Sequence, residues 1–185
     1  KGGSYIHQYI QMLYRHDIRL FQHSSRVAEL ALQIGEQLKL SKGELKNIVK
    51  AALLHDIGKT RIPRNILDTP GPLSEAQWIK VRMHPIWGIE IYKEDEIIQK
   101  GIVSHHENFD GTGYPYGLKK ENIPIIGRII AIADSIDAMT TIRTYRKPVS
   151  MDQAIEEIQK GSGNKYDPYI VKSLNISFTL KTQVR

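Results

Sequence analysis

The chain has 185 residues, 26 Lys or Arg against 20 Asp or Glu for a formal net charge of +6, seven His and no Cys. Without cysteine there is no disulfide framework, thiolate metal site or cysteine nucleophile, so any metal must be held by nitrogen and oxygen ligands. At 41% hydrophobic and 25% charged the chain is expected to fold as one domain with a real core, without a membrane span or signal peptide, in the cytoplasm.

Helical periodicity runs nearly throughout and no segment alternates with period two, so the expected class is all-α. Ile6, Tyr9, Ile10 and Leu13 mark a first short helix. Leu20, His23, Val27, Leu30, Ala31, Ile34 and Leu38 form the apolar face of a longer second one. Ser41 and Glu44 make a capping box for a third, which carries Ile48, Val49, Ala52 and Leu53 up to His55 and Asp56 and is expected to stop at Gly58. Residues 62 to 73 hold three prolines and read as a loop. Ser74 and Gln77 then open a helix that His84-Pro85 bends or ends. Ile97, Ile98, Gly101, Ile102 and His105 define the next helix, followed by a Gly-rich loop over 107 to 120. Pro124 starts a helix carrying Ile126, Ile129, Ile130, Ala133, Asp134 and Met139. Ser150 and Gln153 cap another, which Gly161 ends, and Asp167-Pro168 begins a last one. The domain reading is a lead-in helix over 1–18, a catalytic domain over 19–175 and a tail over 176–185.

The chemistry is concentrated on apolar helix faces. His55-Asp56 ends a segment, IVKAALL, that belongs in the core, where a carboxylate is costly unless paired or metal-bound. Alone, that pair reads equally well as a buried hydrogen-bonded couple. His23, Asp134 and His105-His106 lie on other apolar faces, however, and together they make an N/O donor set suited to a divalent transition metal such as iron or manganese. His23, His55, Asp56 and Asp134 form one four-ligand set. His84, His105 and His106 complete a second, with Asp56 bridging. Two such ions activate a bridging water and favour in-line phosphoester hydrolysis.

The ordered set His23, His55-Asp56-Ile57-Gly58-Lys59, His84, His105-His106-Glu107, Gly113-Tyr114-Pro115 and Asp134 resembles the HD-GYP family of HD-domain metal phosphohydrolases. The resemblance covers about residues 20 to 171. It implies an all-helical bundle of the HD-domain type and hydrolysis of cyclic di-GMP to pGpG, or onward to GMP, with some relatives preferring a mixed cyclic dinucleotide. It implies His23, His55, Asp56, His84, His105, His106 and Asp134 as metal ligands, with Asp56 and Lys59 catalytic and Lys59, Arg143 and Arg146 contacting substrate. Gly113, Tyr114 and Pro115 would shape access or meet a signalling protein. Asp137, one turn after Asp134, reads either as an orienting partner of a ligand or as a solvent-facing acid. His7 and His16 fall outside the motifs.

One position departs from the pattern. Family members with three metals carry a glutamate four residues before the first histidine, where this chain has Arg19. The expectation is therefore two metals and an inefficient second hydrolytic step. Two alternatives compete: an HD hydrolase of another nucleotide (3',3'-cGAMP, a mononucleotide or ppGpp), or a signalling module that binds a cyclic dinucleotide or a protein without turnover. The interleaving of basic and acidic residues, as from Lys42 to Lys50 around Glu44, argues against a partner that is a long nucleic acid.

Overall fold

Side chains at the helix ends set most of the boundaries. The computed structural model describes residues 4–142 and 147–174. Ten helices run in the order α1 (Ser4–His16), α2 (Ile18–Gln37), α3 (Lys42–Leu54), α4 (Arg64–Leu67), α5 (Glu75–Arg82), α6 (His84–Ile91), α7 (Glu96–Ser104), α8 (Ile125–Thr140), α9 (Met151–Lys160) and α10 (Pro168–Ser173) among the described residues, which contain no sheet. Reciprocal capping boxes open α3 (Ser41/Glu44), α5 (Ser74/Gln77) and α9 (Ser150/Gln153), each satisfying backbone N–H groups that the first turn leaves without partners. Asp17, Asp95 and Asp167 cap α2, α7 and α10 with their carboxylates.

α2 packs against α3 and α8, α7 packs on α3 and α8, and α1 lies on α2 with Leu13 fully buried. The shared core is built from Val27, Ala31 and Ile34 of α2, Ile48 and Ala52 of α3, Ile98 and Ile102 of α7, and Ile129, Ile130 and Ile136 of α8. Each fully buried aliphatic side chain contributes about 1.5–3 kcal/mol of transfer free energy, which is what aligns these four faces on one axis.

Two expectations are corrected. Gly58 does not stop the third helix: α3 ends at Leu54, and Gly58 lies inside a 3-10 turn over Ile57–Arg61. The stretch from 62 to 73 is not all loop, because Ile66 is buried and organises the short α4.

Gly58 has a different role from a helix stop. A Cβ there would sit 1.9 Å from the His84 carbonyl oxygen and 2.7 Å from the Gly88 backbone nitrogen. The first turn of α6 therefore lies directly on the backbone of the 3-10 turn, and this contact brings His84 beside His55 and Asp56. Gly58→Ala is expected to cost about 1–3 kcal/mol or more by overpacking. Gly43→Ala, where a Cβ near the start of α3 would meet only Ser41 Oγ at 4.0 Å, should be neutral or stabilising. Urea unfolding of the two variants measures the contrast, and similar midpoints would show that α6 can move aside.

Candidate metal centre

The donor side chains sit at or next to helix ends, except for two within α2 and α8. His55 caps the C-terminus of α3 and His105 that of α7; His84 opens α6, while His23 and Asp134 lie within α2 and α8. His55, Asp56, His84 and His105 are all at most 1% exposed. All seven residues implied as ligands come together. Asp56, His84, His105 and His106 form one group and His23, His55 and Asp134 another, with donor atoms within 4.8 Å of one another inside each group.

Asp56 joins the two groups. Its Oδ2 lies 3.4 Å from His55 Nε2 and 3.6 Å from His23 Nε2, and its Oδ1 lies 3.2 Å from His84 Nε2 and 3.9 Å from His105 Nε2. His23 Nε2 is also 3.2 Å from Asp134 Oδ1. The ring orientations are set from outside the cluster. His55 Nδ1–H donates to the Ala52 carbonyl (2.7 Å), His84 Nδ1–H to Val81 (2.6 Å) and His105 Nδ1–H to Ile102 (2.7 Å). A carbonyl only accepts, so each neutral ring turns its Nε2 lone pair inward.

That arrangement fits a cation. His84 Nε2 and His105 Nε2 face each other at 3.2 Å with both protons committed to carbonyls, so two lone pairs oppose one another. His55 Nε2 and Asp56 Oδ1 are buried with no hydrogen-bond partner. Buried polar atoms without partners are costly, and an imidazole and carboxylate set without sulfur suits divalent transition metals.

The electrostatics agree at Asp56, Asp134, His105 and His106. Burial would raise the Asp56 carboxyl, but Lys59 and His55 beside it hold it well below its usual range. Burial would likewise raise Asp134, yet the hydrogen bond from His23 keeps it ionised. Burial, reinforced by neighbouring imidazoles, pushes His105 well down and His106 down to about 3, leaving both as neutral donors. His23 moves the other way, up to about 9, because hydrogen bonds to Asp134 and Asp137 outweigh its burial.

Three supporting residues were not resolved from sequence. Asp137, 2% exposed, is no solvent-facing acid: its Oδ2 accepts from His23 Nδ1–H at 2.7 Å, and Arg26 Nε donates to its Oδ1 at 2.5 Å. The sequence signal for Arg26 is its place one turn after His23 on α2. Glu107, assigned no role from sequence, is 3% exposed and accepts from the backbone N–H groups of Tyr116 (2.7 Å) and Leu118 (3.0 Å). It thereby ties the Gly-Tyr-Pro loop to the end of α7. An acid directly after a histidine pair and before a Gly-rich loop was the available hint. At Gly113 a Cβ would lie 2.2 Å from the Asn108 nitrogen, so only glycine lets the loop fold back. Tyr114 then stacks on His106 with centroids 4.7 Å apart.

The remaining implied residues divide. Lys59 Nζ donates to Asp56 Oδ2 at 2.5 Å, with its side chain 25% exposed. Arg143 and Arg146 lie outside the described residues. The Arg19 guanidinium is held by Asp17 and Asp68 at 2.7 Å each, so the cation expected at the third-metal position is committed to those two acids. His7 is exposed and His16 half-buried, neither of them in the cluster. Among the described residues no helix is long and apolar enough to cross a membrane.

If Asp137 fixes the His23 ring, Asp137→Ala should weaken divalent-metal affinity by roughly 10–100-fold, the range for loss of a hydrogen-bond partner behind a ligand. Competition with a metallochromic chelator measures this. An unchanged affinity would reduce Asp137 to a helix-packing ion pair with Arg26.

A family model described as HD domain matches residues 7–170. Among curated proteins, the chain is 40% identical over 162 residues to a cyclic di-GMP phosphodiesterase of Thermotoga maritima, aligning 85% of this chain with 44% of that protein. It is 39% identical over 154 residues to the cyclic di-GMP phosphodiesterase response regulator RpfG of Xanthomonas campestris (80% of this chain, 41% of that protein). It is 36% identical over 157 residues to 3'3'-cGAMP-specific phosphodiesterase 2 of Vibrio cholerae (82% and 30%). The chain thus spans less than half the length of these relatives. Among solved structures, the fold matches the HD domain of the phosphodiesterase PgpH of L. monocytogenes, with a TM-score of 0.73 at 19% identity over 96% of this chain and 98% of that one. It also matches Bd1817, an HD-GYP-type protein of Bdellovibrio bacteriovorus, with a TM-score of 0.68 at 22% identity over 88% and 52%. With the family model covering most of the chain and the His-Asp cluster formed, the chain belongs to the HD-domain family.

Proposed function

We propose that this chain is a metal-dependent cyclic dinucleotide phosphodiesterase that hydrolyses cyclic di-GMP to linear pGpG. The single observation that carries the reading is Asp56: one buried carboxylate whose two oxygens face two different groups of imidazoles. The donors form two clusters rather than one, the arrangement a binuclear hydrolase needs and a one-metal site does not.

His23, His55, Asp134 and Asp56 Oδ2 would hold one divalent ion, and His84, His105, His106 and Asp56 Oδ1 the other, with iron or manganese as the proposed metals. When bound, such a pair lowers the pKa of water and neutralises charge on a phosphodiester. Arg19 supplies no carboxylate for a third ion, so the proposed stoichiometry is two, and the second step to GMP is proposed to be slow.

The protein's own groups do the rest. The carbonyls of Ala52, Val81 and Ile102 and the carboxylate of Asp137 keep the rings in register, so little reorganisation is required when substrate arrives. Lys59 stands at the partly exposed edge of the cluster, where its ammonium can meet the phosphate oxygens. Tyr114, stacked on His106, walls off one side. Hydrolysis adds water across one P–O3' bond, leaving a 5'-phosphate and a free 3'-hydroxyl. Substrate choice rests on the relatives: two of those described are named for cyclic di-GMP and one for 3'3'-cGAMP.

The test is to load purified protein with iron or manganese, count metal per chain, and follow linearisation of cyclic di-GMP, 3'3'-cGAMP and cyclic di-AMP side by side. Two metals and fastest turnover of cyclic di-GMP are expected. Asp56→Ala should lose at least one metal and fall to background turnover. Faster cleavage of 3'3'-cGAMP would transfer the proposal to that substrate. Two bound metals with no cleavage of any of the three would overturn it in favour of a binding module.

A further inference from the structure

The cations around the centre are nearly all committed to carboxylates. Lys59 is bonded to Asp56 and Arg26 to Asp137. Arg82 differs. It is the last residue of α5, two positions before the buried ligand candidate His84, and it has no carboxylate partner among the described residues. Its guanidinium carbon instead lies 4.6 Å from the centroid of the Tyr114 ring, and the same ring is stacked on His106.

Three restraints define where that guanidinium sits. His84 anchors the backbone, since its ring is fully buried and bonded to the Val81 carbonyl. Tyr114 supplies an aromatic face, and Glu107 holds the loop that presents Tyr114 by accepting from Tyr116 and Leu118. The guanidinium carbon lies over the ring face instead of in a fork to a carboxylate, so the contact uses none of its N–H donors. The N–H groups of a guanidinium face on to a ring remain free at its rim for an anion.

A cyclic dinucleotide brings two phosphodiesters. The metal-ligand cluster can engage the one being cleaved, which leaves a second full negative charge at a fixed distance within the same ring. We propose that Arg82, carried on Tyr114 beside His106, is the specificity-determining cation that grips the second, uncleaved phosphodiester of the substrate. This rests on the phosphodiesterase reading above and adds to it a contact from α5 and the Gly-Tyr-Pro loop, distinct from Arg143 and Arg146 after α8. It also gives the loop a function in the reaction: a misplaced Tyr114 would misplace the arginine.

The experiment compares wild type, Arg82→Ala and Arg82→Lys, each loaded with manganese, on cyclic di-GMP and on bis(p-nitrophenyl) phosphate, which carries a single phosphodiester. Arg82→Ala is expected to raise KM for cyclic di-GMP about 10–100-fold, as for loss of a charge-assisted hydrogen bond, with a smaller change in kcat and unchanged metal content. Its loss on bis(p-nitrophenyl) phosphate should be at least tenfold smaller, and Arg82→Lys should recover part of KM because it keeps the charge but not the fork. Equal losses on both substrates, or a lost metal, would show that Arg82 only props the Tyr114–His106 stack and would overturn the proposal. An unchanged KM for cyclic di-GMP would overturn it too. Failure of the phosphodiesterase reading looks different, since wild type itself would then cleave no cyclic dinucleotide, and the assignment of Arg82 would fall with it.

Discussion

The buried carboxylate of Asp56 is the constraint on which the rest of the structure depends. A charge that is 1% exposed is tolerated in a protein interior only if its surroundings supply compensating charge and hydrogen bonds. Four imidazoles and one ammonium surround it, contributed by α2, the ends of α3 and α7, the start of α6, and the 3-10 turn. Each of these elements must therefore converge on one point. The close approach of α6 to the 3-10 turn at Gly58, and the capping of α3 and α7 by His55 and His105, follow from that requirement.

The convergence leaves the interior under-satisfied. Nδ1 protons directed at carbonyls secure three rings, yet this same bonding turns their remaining lone pairs on one another and on Asp56. The protein tolerates that arrangement because the apolar core behind it is large: α2, α3, α7 and α8 bury a continuous set of isoleucines and alanines against which the polar cluster forms one face. Three rings of the cluster are oriented by backbone carbonyls independently of any ligand, which pre-organises their inward lone pairs. Around it a further layer works by the same logic. Arg26 neutralises Asp137, Asp137 steers His23, and Glu107 gathers the backbone donors of the loop that brings Tyr114 onto His106.

Much of the fold and of the candidate donor cluster was legible in the residues themselves. Helix starts were readable because capping is local: Ser41/Glu44, Ser74/Gln77 and Ser150/Gln153 act within one turn of chain. The candidate donors His23, His55, Asp56, His105, His106 and Asp134 stood out because histidine and aspartate on apolar faces violate the binary pattern, a violation that needs no tertiary information to detect. Gly58 was misread for the converse reason. Its local context, a glycine after a helix, resembles a stop signal, whereas its actual constraint is a carbonyl from α6 that arrives 26 positions later in the chain.

By itself the sequence determined the class of fold, the capped helix starts and the chemical type of the candidate donors, all of which depend on periodicity, capping and side-chain type. The tertiary structure decided how those donors are shared. That Asp56 divides its oxygens between two clusters, that Asp137 is buried behind His23, that Arg19 is turned to Asp17 and Asp68, and that Arg82 rests on Tyr114 are facts about distances between elements remote in sequence. Those distances are set by the packing of α2, α3, α6, α7 and α8 around one core, because local propensity carries no information about which helix end meets which.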